Sequence, residues 1–157
     1  MNESHMFDIL KKILNDQAVN EIKSILVIDS PEGYELFGEY LIRKTSTGYV
    51  VEKYHIDLSE HFYNLKNAVI WTTLYHRNLL AKAKRIASLD SSLEGTLFEI
   101  KIQSELSKKT KDLTSKSVYV AKLMEAKSKK IAILEEIQGY ETSVKNWQYG
   151  KYKQLSA

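Results

Sequence analysis

The chain has 157 residues, of which 43% are hydrophobic and 27% charged, with a net charge of +3 and no cysteine. This balance belongs to a globular chain of about one domain and excludes disordered, disulfide-stapled and thiolate-metal classes. Apolar runs such as "SILVI" and "AVIW" are far too short to cross a bilayer.

The first segment, "MNESHMFDILKKILNDQ", lacks the basic start, apolar stretch and small-residue cleavage site of an export signal. We therefore expect a protein of a reducing cytoplasm. Met6, Ile9, Leu10, Ile13 and Leu14 recur at helical spacing, which predicts a short amphipathic helix over residues 5–16. "VNEIKSILVI" (19–28) fits either a continued helix or a buried strand, and "DSPEG" (29–33) is a turn. Residues 1–30 thus form an N-terminal helix and connection.

A β-meander is expected over residues 34–62. "YELFGEYLIRK" (34–44) and "YVVEKYHIDL" (49–58) alternate apolar and polar residues, and "TSTG" between them is hairpin chemistry. Tyr40 and Ile42 share one face, as do Tyr49 and Val51, and a short strand near Ile56–Leu58 follows. So small a sheet needs a helix across one face to be stable.

The chain supplies that helix at once. Asn64 can cap it, and Leu65, Ala68, Val69, Thr72 and Tyr75 can cover the meander, with Trp71 at its edge. Leu79, Ala83, Ile86, Asp90, Leu93, Leu97 and Ile100 then alternate by four and three, the spacing of a coiled-coil seam. Asp90 interrupts that seam, and "DSSLEG" is where the helix could break. "SKKTKDLTSKS" (107–117) is nearly devoid of apolar residues and reads as a turn. A last helix, from about Ser115 to Gln148, carries Tyr119, Leu123, Ala126, Lys130, Ile133, Ile137, Tyr140, Val144 and Trp147 in an unbroken heptad seam. The fold class expected is α+β, mainly α. A short N-terminal helix and a small antiparallel meander precede a long antiparallel helical hairpin over 64–149, with a tail at 150–157.

The last helix is apolar on a second line as well. Val120, Met124, Ile131 and Leu134 lie beside the seam, interrupted by Lys127. A two-helix hairpin fills one stripe only, so the second needs the N-terminal helix or another subunit. The helices look longer than a 12-residue helix can cover, which favours the subunit. Lys130 within the seam can set register, although its long stem can simply reach water.

Chemical machinery is sparse. His55, Asp57, Glu60 and His61 in "HIDLSEH" come nearest to a metal or acid–base cluster, but such side chains are ordinary on a strand-to-helix connection. His76 reads as a packed or rim histidine. There is no G-x-S-x-G elbow and no phosphate-binding glycine loop. We expect no catalytic residue, no metal, no cofactor and no membrane partner. Charge is uneven, however. Residues 101–130 hold nine lysines against Glu105, Asp112 and Glu125. Lys108, Lys109, Lys111 and Lys116 are candidate contacts for phosphate or an acidic partner. "KNWQYGKYK" (145–153) interleaves Lys145, Lys151 and Lys153 with Trp147, Tyr149 and Tyr152, a pattern that serves single-stranded nucleic acid. The sequence thus favours an assembly or interaction protein, pairing with itself or a larger protein structure. A nucleic-acid-binding accessory protein, using the basic tip and the tail, is the alternative.

Over residues ~37–148, with "FYNLKNAVIW" (62–71), "AKAKRIASLD" (81–90) and "YVAKLMEAKSKK" (119–130), the chain resembles small uncharacterised helical proteins of tailed bacteriophages, particularly those of marine bacteria. Lysine, isoleucine and tyrosine in place of alanine and arginine also suit an AT-rich genome. The resemblance implies a phage setting, in the host cytoplasm or the virion, where such proteins are often part of the particle or its assembly. It transfers no functional residue.

Overall fold

The computed structural model describes residues 27–30 and 33–156, with side chains placed for 33–147. The helix expected over 5–16 and most of the ambiguous stretch 19–28 lie outside the described residues, as do the side chains of Tyr149, Lys151, Tyr152 and Lys153. Val27 and Ile28, the end of that stretch, belong to a strand.

Five strands form one antiparallel sheet in sequential order: β1 (Val27–Ser30), β2 (Gly33–Leu36), β3 (Tyr40–Lys44), β4 (Tyr49–Lys53) and β5 (Ile56–Asp57). The expected strand 34–44 is therefore two strands. Glu39 N–H closes a turn onto the Leu36 carbonyl at 3.1 Å, with Phe37 (φ 57°) and Gly38 (φ 67°) both left-handed. That is the backbone of a tight hairpin turn whose twist matches the strands. Phenylalanine is poorly suited to such a φ, and its ring is held by stacking on His76 at 4.5 Å. The predicted "TSTG" hairpin forms as expected, with Ile42 opposite Val51 and both fully buried. Gly48 is required there because a Cβ would overlap the Phe62 carbonyl oxygen and the His61 ring.

Three helices follow: α1 (Leu65–His76), α2 (Leu80–Lys109) and α3 (Leu113–Ser156). Nearly every side chain from Leu65 to Leu74 is buried, as befits a helix covered on all sides. The sheet lies against it through β3 and β4, and α2 and α3 lie against it as well. Buried Thr72 and Thr73 satisfy their hydroxyls by donating to the Ala68 and Val69 carbonyls at 2.8 and 3.0 Å.

The helical run breaks at Asn78, not at Asp90. Asn78 is left-handed (φ 60°), its N–H donates to the Tyr75 carbonyl, and Leu79 N–H donates to the Leu74 carbonyl, each at 2.9 Å. These two bonds close a Schellman motif, in which asparagine is the usual substitute for glycine. Asp90 sits inside α2 with 1% of its surface exposed. Its carboxylate accepts from Tyr63 N–H (2.8 Å), Asn64 N–H (3.2 Å) and the Asn67 side-chain amide (2.9 Å). The seam's acidic interruption thus secures the start of another helix. Asn64 itself accepts from Lys66 and Asn67 N–H, the expected cap. Burial outweighs those bonds and raises the Asp90 pKa.

Candidate functional site

The hairpin of α2 and α3 has two unlike halves. Its lower half joins the core, where Ala83, Ile86, Leu89 and Leu93 of α2 meet Ile133, Ile137 and Val144 of α3 in one apolar cluster with α1 and the sheet. Arg85 fixes the register through two bonds to Glu136, at 2.6 and 2.8 Å. This pairing holds the Glu136 carboxyl below the usual carboxylate range. Lys66 of α1 reaches Glu141 at 3.2 Å.

Beyond Leu93 and Ile133 the two helices run on alone to a turn at residues 110–112, shorter than the polar stretch 107–117 suggested. Sixteen residues of α2 make this arm about 24 Å long at 1.5 Å per residue. Its interior is thin. Thr96, Gln103 and Ser107 of α2 and Ala126 of α3 are its buried residues, while Leu97, Tyr119, Leu123 and Lys130 are half-buried. An open groove of about 560 Å³ runs along one side, where Gly95 and Ala126 leave space between Glu99, Lys122, Glu125 and Lys129.

All seam residues of α3 from Tyr119 to Trp147 are therefore buried or half-buried, at the spacing the sequence shows. Trp147 ends the seam against the β2–β3 turn, edge-on to Phe37 (6.2 Å) and His76 (6.3 Å), with the Arg77 guanidinium 5.1 Å from its ring. That packing ties the half-buried ring to the body. His76 is likewise a packed histidine, with Tyr40 Oη 3.3 Å from its Nδ1.

The second line is different. Val120, Met124, Ile131 and Leu134 are 38, 65, 58 and 42% exposed. The line also extends upstream. Leu113, Ser117, Val120, Met124, Lys127, Ile131 and Leu134 alternate by four and three, and Leu113 is exposed too. At the arm's end Lys108 and Lys109 close α2, Lys111 lies in the turn and Lys116 opens α3, all exposed.

The His55–His61 stretch does not converge. His55 lies in the left-handed β4–β5 turn, and Asp57 pairs with Arg43 at 3.3 Å. His61 Nε2 lies 2.7 and 2.9 Å from the Thr45 and Thr47 hydroxyls. Among the described residues no group of three or more His, Asp or Glu side chains could hold a metal ion. No described helix is long and apolar enough to cross a membrane. No family model matches the chain, and neither a curated protein nor a solved structure is significantly similar to it.

Proposed function

We propose that this protein is a non-enzymatic assembly component whose arm pairs with the arm of a second copy. The observation behind this reading is the second heptad line of α3, exposed beside a seam that α2 already fills. Strict four-and-three spacing is what a supercoiling helical partner requires, whereas a helix lying on an ordinary core follows a 3.6 period. Val120, Met124, Ile131 and Leu134 still expose 38–65% of their surface, so covering them contributes about half of the ~1.5–3 kcal/mol that full burial of each is worth. Every copy carries the same line, and two-fold pairing is the commonest way to use such a surface. Lys127, the polar position within it, would set register at some cost in stability. A place in a phage particle or its assembly suits this reading and rests on the resemblance alone.

Light scattering across a concentration series tests it. The expected result is a defined oligomer of the 18.1 kDa chain, reduced to monomer by Ile131→Asp with Leu134→Asp while circular dichroism stays helical. A wild-type monomer at every concentration overturns the proposal. So does unfolding of the double variant, because the line would then be internal core.

A further inference from the structure

We infer that the arm's tip is a contact surface for the phosphate backbone of nucleic acid, read without regard to base sequence. Four lysines surround one turn: Lys108 and Lys109 at the end of α2, Lys111 in the turn and Lys116 in the first turn of α3. All are exposed, and among the described residues none makes an ion pair.

Helix stability explains only half of this charge. Lys108 and Lys109 complement the negative end of α2, but Lys116 sits at the positive end of α3, where a cation is unfavourable. The first turn of that 44-residue helix holds no acidic residue. Asp112, the one carboxylate in the turn, accepts from Ser115 N–H at 3.0 Å, which holds its carboxyl below the usual range and keeps it charged, so it offsets one of the four lysines. The tip is thus left strongly positive, about 24 Å from the body along the arm.

The residue types select the partner. Arginine occurs only at positions 43, 77 and 85, so the tip has no planar fork for base edges or for bidentate carboxylate pairing. Lysine is depleted in protein–protein interfaces, and the tip has no Trp, Tyr or Arg to serve as an anchor. Dispersed ammonium groups on flexible stems suit a phosphate backbone.

The test is fluorescence anisotropy of the full-length chain with a labelled 30-base-pair duplex of arbitrary sequence. Four phosphate contacts predict a slope of about −3.6 in log K against log salt, or roughly a 150-fold loss between 50 and 200 mM. Replacing Lys108, Lys109, Lys111 and Lys116 together by Gln should weaken binding at least tenfold at 50 mM and flatten the slope. Replacing Lys44, Lys53, Lys82 and Lys84 by Gln removes the same charge from the body and should leave binding within about threefold. Absent binding at 50 mM, equal losses in the two variants, or competition by polyglutamate as effective as by unlabelled duplex would each overturn the inference. The readout is affinity per chain, so it stands or falls separately from self-assembly.

Discussion

The body and the arm are built from the same two helices, yet they are held by different means. In the body, α2 and α3 face α1 and the sheet, and side chains such as Ile42, Ile70, Leu74 and Ile86 have no exposed surface. In the arm the same helices face only each other across Thr96, Gln103, Ser107 and Ala126. Apolar side chains that a third layer would cover point outward instead. A heptad seam alone therefore organises a helical pair without making it self-sufficient. The body supplies stability, and the arm borrows it while displaying surface.

That contrast can be broken by substitution. The largest effect should come from Ile86→Ala, which empties a fully enclosed site in the body and should cost about 3 kcal/mol in urea unfolding. Asp90→Ala should cost about 2 kcal/mol, since it strands three donors at the start of α1. The smallest effect should be Leu123→Ala in the arm, about 1 kcal/mol or less, because that side chain is only half-buried. A Leu123→Ala loss equal to that of Ile86→Ala would remove the distinction between the two regions.

Asp90 also sharpens it through pH. Its raised pKa means that the folded chain binds this proton more tightly than the unfolded chain. The stability linked to it is full below the unfolded value, about 3.9, and is lost as pH rises through the folded value. Asp90→Asn should remove that slope, measured as the urea midpoint of each protein against pH.

Much of the hairpin was legible because periodicity is local information. The spacing from Tyr119 to Val144 identifies the buried face of α3, and Asn64 announces the cap of α1. Two features were hidden because distant residues settle them. Phe37 reads as a strand residue, and the His76 ring beneath it stabilises a turn there. Asp90 reads as a place for α2 to break, yet its partners lie some 25 residues upstream on another element. The true break at Asn78 did leave a signal: an asparagine flanked by Leu74 and Leu79 at the spacing of a Schellman contact. The second line of α3 was legible as a pattern, but a pattern names no partner.

Amide hydrogen exchange at low and high protein concentration tests the division most directly. Self-pairing of the arms predicts that amides of residues 97–109 and 113–130 exchange readily in dilute solution. They should slow at least a hundredfold on concentration, while those of α1 stay protected throughout. Arm amides as protected as α1 in dilute monomer, or unprotected at both concentrations, would contradict it.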